Sequence, residues 1–155
     1  KRAEMLSMTL NTIGGGLGLV LFGWISTKLG RRGAFVLYQV VAFGMVLLMF
    51  LYLIPQNTSP TLLAITLPVF GFFTLGMHAG YAVYFPELYP TRMRGTGAGF
   101  CFNMGRLGTA AAFLVFGFAI KIEPESQALL LSPLSLLGAV VVLFGKETRG
   151  EELPE

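Results

Sequence analysis

The chain has 155 residues, of which 54% are hydrophobic and only 12% are charged. The charged share is about half of that in soluble domains, which excludes a water-soluble globular protein. The formal net charge is +3, but the few charges are clustered, which argues against nucleic-acid binding because that needs a basic face. One His, one Cys and no Asp exclude a cysteine-rich metal site, and we expect neither a metal nor a cofactor.

Five segments are long and apolar enough to cross a lipid bilayer, which takes about 20 mostly apolar residues. They are residues 5–26, 34–54, 61–84, 98–120 and 126–144. Pro68 in the third segment and Pro133 in the fifth predict kinks. We therefore predict an all-α, polytopic membrane helix bundle that takes up residues 1–155, with a tail from residue 145.

The distribution of basic residues predicts the orientation of these spans. The first loop, the third loop and the tail share one side and hold Lys28, Arg31, Arg32, Arg92, Arg94, Lys146 and Arg149. The opposite side holds Lys1, Arg2 and Lys121. Positive loops stay in the cytoplasm, so we predict a cytoplasmic tail and an outside N-terminus. An odd number of spans with an outside start, in a chain that begins with Lys, predicts a fragment of a longer protein.

Glycines are concentrated in two of the predicted spans. Gly14 and Gly18 form a small-xxx-small pair, which lets a neighbouring backbone approach closely. A second group lies at the start of the fourth span and within it: Gly95, Gly97, Gly99, Gly105 and Gly108. A phosphate-binding loop would need a preceding strand and a following Lys-Ser/Thr pair, and neither is found. Both groups are therefore predicted to pack helices together.

Three of the predicted cytoplasmic segments resemble motifs of the major facilitator superfamily. Residues 23–32, GWISTKLGRR, resemble the pattern G-x-x-x-D-[RK]-x-G-[RK]-[RK], with Thr27 in place of the Asp. Residues 86–95, PELYPTRMRG, are similar to the P-E-x-[FY]-P-T-x-x-R-G signature after the tenth helix of sugar and organic-acid porters. Residues 146–153, KETRGEEL, are similar to the stretch after the last helix, with Lys146 in place of a Pro.

Residues 97–106 also resemble the eleventh helix of metabolite porters, of the metabolite:proton symporter-like group. The order and spacing of these motifs match helices eight to twelve of a twelve-helix fold. The resemblance thus covers essentially the whole chain and implies that the N-terminal helices of the transporter are missing from it.

The resemblance implies secondary active transport across the cell membrane by alternating access of two six-helix halves. The implied partner is a small polar organic solute, such as a sugar or an organic acid, moved by symport with a coupling proton. A membrane-embedded enzyme would need a Ser-His pair, paired acids or a metal cluster, so we expect no enzyme and no catalytic residue. A channel would need dense polar faces or charge rings. A channel or a receptor-like helix bundle stays an alternative.

The resemblance also implies that the cytoplasmic charges form a latch whose ion pairs break when the inside opens. The candidate latch residues are Gly30, Arg31, Arg32, Glu87, Arg92 and Arg94. Glu87 is expected to lie within reach of Arg31, Arg32 or Arg92. The alternative is that the Arg residues only set the topology and contact anionic lipid.

Arg106 is the first candidate for the substrate pathway, because a guanidinium inside a bilayer is costly unless it faces protein or water. Asn103 lies three residues earlier on the same helix face, and together they can hold a carboxylate or a hydroxyl. The alternative is that Arg106 pairs with an acid on another helix.

His78 is a candidate carrier for a coupling proton, because the pKa of an ordinary His is about 6.5. The alternative is a structural, hydrogen-bonded His. Thr74, His78 and Tyr81 have the spacing i, i+4, i+7, so they share one helix face and complete the candidate substrate and proton pathway.

Overall fold

The structure is a computed structural model that describes residues 2–56, 59–119, 123–150 and 154. Lys1, Lys121 and the end of the third motif, residues 151–153, therefore lie outside the described residues. Within the described ranges all regular secondary structure is helical, which confirms the predicted all-α class. The helices are α1 (Arg2–Leu47), α2 (Pro60–Leu88), α3 (Arg94–Phe113), α4 (Pro124–Leu131) and α5 (Pro133–Phe144). The π-helical turns Leu48–Leu53 and Leu114–Ala119 extend α1 and α3.

Four helical segments in this part of the chain are long and apolar enough to cross a membrane. They are Glu4–Leu53, Pro60–Leu88, Arg94–Phe116 and Glu125–Phe144. Large apolar side chains such as those of Val20 and Phe144 lie on the outside of the bundle, as expected for a surface that faces lipid.

The first of these segments is a hairpin of two antiparallel limbs. A straight helix of 50 residues would be about 75 Å long, more than twice the roughly 30 Å of a bilayer core. The helix breaks at Gly30, whose φ is 81° and ψ 167°, a conformation open to a residue without a Cβ atom. Beyond the break the Tyr38 hydroxyl donates to the Gly18 carbonyl oxygen at 3.1 Å, and the rings of Phe22 and Phe35 lie 5.3 Å apart.

The first two predicted spans thus correspond to limb 1 (residues 2–29) and limb 2 (residues 31–53) of this hairpin. The predicted loop over residues 28–33 is wrong, because a single non-helical glycine makes the turn.

Helix α2 extends further than hydropathy alone predicts. It begins with Pro60, where the missing N–H of proline costs nothing, and continues through Pro68 and Pro86 to Leu88. The predicted loop over residues 85–97 is therefore too long, since α3 starts at Arg94. Backbone hydrogen bonds continue a helix beyond the end of its apolar run, and so Glu87 lies in the last turn of α2. By contrast, the fifth predicted span does break before Pro133, between α4 and α5.

Glycines allow limb 1 and α2 to touch backbone to backbone. A Cβ atom on Gly14 would lie 1.9 Å from the Pro68 carbonyl oxygen, and one on Gly18 would lie 2.2 Å from that of Phe72. The buried rings of Phe22, Phe35, Tyr38 and Tyr84 form the hydrophobic core of the bundle. Close packing for Gly14 and Gly18 was the prediction, and the geometry agrees with it.

The glycines of α3 behave differently within the described residues. Only Gly97 meets a neighbour, because a Cβ atom there would lie 2.6 Å from the Tyr89 ring. A Cβ atom added at Gly95, Gly99, Gly105 or Gly108 would meet no described neighbour within 4 Å. The helix-packing prediction for this group therefore has support at Gly97 alone.

Gly18→Ala is expected to destabilise the bundle by about 1 to 3 kcal/mol, the usual cost of overpacking. The reason is the 2.2 Å separation between the added methyl group and the Phe72 carbonyl oxygen. Gly16→Ala is the matched control, since no atom lies within 4 Å of its added methyl group. The measurement is the thermal unfolding midpoint in detergent, and equal midpoints for the two variants would contradict the close contact.

Candidate functional site

Arg31 and Glu87 form a two-point ion pair at the end of the bundle where the Gly30 turn lies. Arg31 donates from Nη2 to Glu87 Oε1 at 2.8 Å and from Nε to Oε2 at 3.2 Å. The Ser26 hydroxyl accepts a further bond from Arg31 Nη1 at 2.9 Å, and Thr148 donates to the Glu87 carboxylate. The side chains of Arg31 and Glu87 are only 17% and 16% exposed. Paired, planar geometry of this kind is the strong form of a salt bridge.

Glu147 caps the start of limb 2 from the far end of the chain. Its carboxylate accepts from the backbone N–H groups of Arg31 at 2.8 Å and Arg32 at 3.1 Å. These are the first N–H groups after the Gly30 break, which have no partner inside their own helix. A carboxylate at this position also complements the positive end of the helix dipole.

The tail also provides a hydrogen-bond donor for the C-terminal end of limb 1, on the other side of the turn. Arg149 Nη1 donates to the Lys28 carbonyl oxygen at 2.8 Å, at the C-terminal end of limb 1 where a cation is favoured. The Tyr84 hydroxyl donates to the Lys146 carbonyl oxygen at 2.7 Å, which ties the tail to α2. We call Arg31, Glu87, Glu147, Thr148 and Arg149 the turn cluster.

Burial opposes ionisation of Glu147, but the N–H donors of Arg31, Arg32 and Arg149 outweigh it and hold the pKa of the carboxyl below its ordinary value. Glu147 is therefore an anion at neutral pH.

The other candidate latch residues lie at the edge of this cluster or outside it. Arg32 contributes its backbone N–H to Glu147, while its Nε is buried without a hydrogen-bond partner among the described residues. Arg94 donates from Nε to the Pro86 carbonyl oxygen at 3.0 Å and so caps the end of α2. Arg92 is exposed and stands outside the cluster. Sequence reasoning did not name Glu147, Thr148 or Arg149 as site residues, although the third motif was the available signal.

A second site is a cavity of about 820 Å³ between α2 and α3. Its polar lining includes His78 and Tyr81 from α2 and Arg106 from α3, and no acidic side chain of the described residues lines it. Aromatic rings form much of its wall: Tyr81 stacks on Phe85 with ring centroids 5.4 Å apart, and Phe85 meets Phe102 edge-on at 5.4 Å. The cavity therefore combines flat apolar walls with one cation.

The structure brings three of the five pathway candidates together and leaves two aside. Tyr81 lies 6.2 Å from His78, ring centre to ring centre, and both line the cavity with Arg106. Asn103 and Thr74 are not among its lining residues. Each donates to a carbonyl oxygen of its own helix, Asn103 to Gly99 at 2.9 Å and Thr74 to Phe70 at 2.7 Å. The expected pairing of Asn103 with Arg106 at one site is therefore not supported.

Two details bear on what the cavity residues can do. His78 Nδ1 lies 3.0 Å from the Leu75 carbonyl oxygen, which can only accept, so Nδ1 carries the proton and a neutral ring presents Nε2 as an acceptor. Within the described residues no carboxylate forms an ion pair with Arg106, so the alternative of a structural pairing with an acid finds no partner there.

Comparison with known proteins identifies the family. A family model described as Major Facilitator Superfamily matches residues 5–155. The chain belongs to the major facilitator superfamily. Membership confirms the family expected from the three loop motifs and the multi-pass membrane character of the chain. It also agrees with the expectation that the protein is not an enzyme.

Several relatives are named as transport proteins. The cis,cis-muconate transport protein of Acinetobacter baylyi is 39% identical over 103 residues, which cover 66% of this chain and 24% of that protein. A probable 4-methylmuconolactone transporter of Cupriavidus pinatubonensis is 29% identical over 150 residues, 94% of this chain and 34% of that protein. A niacin transporter of Acinetobacter baylyi is 28% identical over 139 residues, 88% of this chain and 30% of that protein.

This member of the superfamily thus spans a quarter to a third of the length of these relatives. No solved structure matches the chain.

Glu147→Gln is expected to cost about 0.5 to 2 kcal/mol of stability at neutral pH, the range measured for losing a helix cap. The pKa of Glu147 lies below 4.5 in the folded protein, so this stabilisation is present above pH 4.5 and is lost as the pH falls through the lowered pKa. Unfolding midpoints of wild type and variant should differ at pH 7 and converge in acid. Arg92→Gln, which removes an exposed charge outside the cluster, is the control. A difference that does not shrink in acid would contradict the capping role.

Proposed function

We propose that this chain forms one wall of the substrate pathway in a secondary transporter for small organic acids. The observation that carries the proposal is Arg106, a cation in an aromatic-walled cavity that no described acidic side chain lines. A guanidinium inside a membrane protein is costly unless a counter-charge, protein or water meets it. A substrate carboxylate supplies that counter-charge, and its flat apolar body fits against Phe85 and Phe102.

The names of the relatives support an organic acid more than a sugar. Muconate and niacin are both unsaturated carboxylic acids, and two relatives are named as their transporters. A sugar needs many hydrogen-bond partners around its ring, whereas much of this cavity's wall is phenyl rings. A sugar substrate is therefore the less favoured form of the proposal.

The proposed mechanism is alternating access, in which this half rocks against the remainder of the protein in the cell membrane. The coupling ion in the proposal is a proton, with His78 as its candidate carrier because it lines the same cavity as Arg106. In this proposal the tail and the turn cluster lie on the cytoplasmic side, because this end of the bundle holds seven of the basic residues.

Arg106→Ala is expected to lower uptake of a carboxylate by a factor of ten or more, about what is lost with one charged hydrogen bond. Arg106→Lys should restore only part of it, because an ammonium cannot hold a carboxylate with a flat pair of donors. The assay uses the full-length protein in proteoliposomes with radiolabelled cis,cis-muconate, nicotinate and, as the rival substrate, glucose. An imposed pH gradient, with and without an uncoupler, tests the proton coupling in the same vesicles.

Arg92→Ala is the matched control for this experiment, because Arg92 is exposed and lies outside both sites. Normal uptake by both Arg106 variants would remove this residue from the pathway. Counterflow separates a carrier from a channel, since a carrier is stimulated by unlabelled substrate on the opposite side.

We propose further that the turn cluster is the cytoplasmic latch. It joins the turn of α1, the last turn of α2 and the tail, and it keeps the Arg31–Glu87 pair largely out of water. Opening this end of the bundle would hydrate both charges. The pair therefore favours the closed arrangement of this end as long as both partners are present.

Glu87→Gln is expected to raise the accessibility of the cavity from the cytoplasmic side several-fold. The variant leaves the Arg31 charge mostly buried without its partner, which is costlier than removing both charges. Cys101 lines the cavity and serves as the reporter, with all other cysteines of the full-length protein replaced. Its reaction rate with a membrane-impermeant thiol reagent is the measurement.

The double variant Arg31→Gln/Glu87→Gln should react more slowly than Glu87→Gln alone, because no orphaned charge remains. Arg92→Gln is the control and should leave the rate unchanged. An unchanged rate in Glu87→Gln would show that the pair is not a latch.

A further inference from the structure

Tyr89 and Gly97 lie between the cavity and the turn cluster, and neither site includes them. The residues that line the cavity fall within residues 78–85 of α2 and residues 101–113 of α3. Tyr89 is the first residue after α2, about one helical turn beyond this lining. Gly97 lies one turn before it on α3. Because the two residues meet, they form the layer that follows the cavity toward the turn cluster.

The Tyr89 ring covers Gly97, which is buried. A Cβ atom added there would lie 2.6 to 2.7 Å from three atoms of the ring, so only a glycine leaves room for it. At its other end the Tyr89 hydroxyl oxygen lies 3.3 Å from Cys101 Sγ, a hydrogen bond in which either group can donate. Cys101 lines the cavity. The Tyr89 side chain therefore reaches from the end of α2, across the first turn of α3, to the cavity wall.

Hydrogen bonds to one carbonyl oxygen hold the backbone from which this ring extends. The Pro86 oxygen accepts from the Tyr89 N–H at 3.4 Å and from Arg94 Nε at 3.0 Å. It thus joins the end of α2 to the start of α3. Glu87 of the turn cluster lies in the turn of α2 that ends at Tyr89. A movement of Glu87 therefore moves Tyr89 as well.

We propose that Tyr89 is a plug that closes the cavity toward the turn cluster and couples it to the Arg31–Glu87 pair. While the pair is formed, Glu87 holds the last turn of α2 and the Tyr89 ring stays on Gly97. When the pair breaks, the turn that carries both residues moves and the ring leaves Gly97, which opens a path between α2 and α3. The role of the plug in transport rests on the proposed function, whereas the closure of the cavity by the ring does not.

The first test measures how fast a membrane-impermeant thiol reagent reaches the cavity of the full-length protein in inside-out membrane vesicles. The reporter is Thr109→Cys with all other cysteines replaced, because Thr109 lines the cavity about 12 Å along α3 from Cys101. Tyr89→Ala is expected to raise the labelling rate several-fold, while Tyr89→Phe, which keeps the ring, should leave it unchanged. No rise in Tyr89→Ala, or an equal rise in Tyr89→Phe, overturns the plug.

The second test displaces the ring without altering it. Gly97→Ala should push the Tyr89 ring aside and raise the labelling rate, and adding it to Tyr89→Ala should raise the rate no further. Gly95→Ala is the matched control, because its added methyl group meets no described atom within 4 Å. An equal rise in Gly95→Ala contradicts the plug. The unfolding midpoint in detergent is measured alongside, and if Gly97→Ala does not fold, Tyr89→Ala alone decides.

The third test concerns the coupling to the latch and uses the same vesicles. Glu87→Gln should raise the labelling rate when the Tyr89 ring is present and add little to the rate of Tyr89→Ala, because the ring is then absent. Equal effects of Glu87→Gln with and without the ring would show that the ion pair does not act through Tyr89.

The last measurement separates the plug from the proposed function. Saturating nicotinate should slow labelling at position 109 in the reporter protein and in its Tyr89→Ala variant, whereas glucose should not. Faster labelling of Tyr89→Ala without protection by nicotinate or cis,cis-muconate keeps the plug and overturns the organic-acid site. Protection by nicotinate without any effect of Tyr89→Ala keeps the organic-acid site and overturns the plug.

Discussion

The one-residue turn at Gly30 decides how limb 1, limb 2 and the tail are arranged. Two helical limbs meet there with no loop between them, so the backbone groups at both ends of the break need partners. The tail provides both, Glu147 for the N–H groups of limb 2 and Arg149 for a carbonyl of limb 1. Because these partners lie more than a hundred residues away in sequence, the hairpin is completed only when the end of the chain returns to it.

The position of the ion pair follows from the packing of limb 1 on α2. The glycine contacts near Gly14 and Gly18 let the two backbones touch, which fixes the register of α2 against the hairpin. That register carries Glu87, in the last turn of α2, to Arg31 just beyond the turn. A one-turn shift would move the carboxylate by about 5.4 Å and break the pair. The close backbone contact between limb 1 and α2 therefore determines where the Arg31–Glu87 pair forms.

Much of the fold, and part of the candidate site, could be predicted from the sequence. The features that could not be predicted were missed for physical reasons. Hydropathy and the loop motifs predicted the helix bundle and the family, and the charge count placed the Gly30 turn, Glu87 and the tail on one side. The helix caps were missed because a cap depends on which backbone groups lie exposed in three dimensions. Asn103 was assigned to the site of Arg106 because spacing gives the angle between two side chains, but not which of them faces α2. The loops were predicted too long because an apolar run ends before its helix does.

Two arginines in the same bundle differ in whether groups of this chain balance their charge. Arg31 makes three side-chain hydrogen bonds, to Glu87 and Ser26, and its charge is balanced by groups of this chain. Arg106 faces a cavity that no described acidic side chain lines. A charge that is already balanced has nothing to gain from a ligand, whereas an unbalanced one inside a membrane protein gains from any anion that enters. The uneven distribution of partners is therefore the reason why we place Arg31 in the turn cluster and propose that Arg106 meets the substrate.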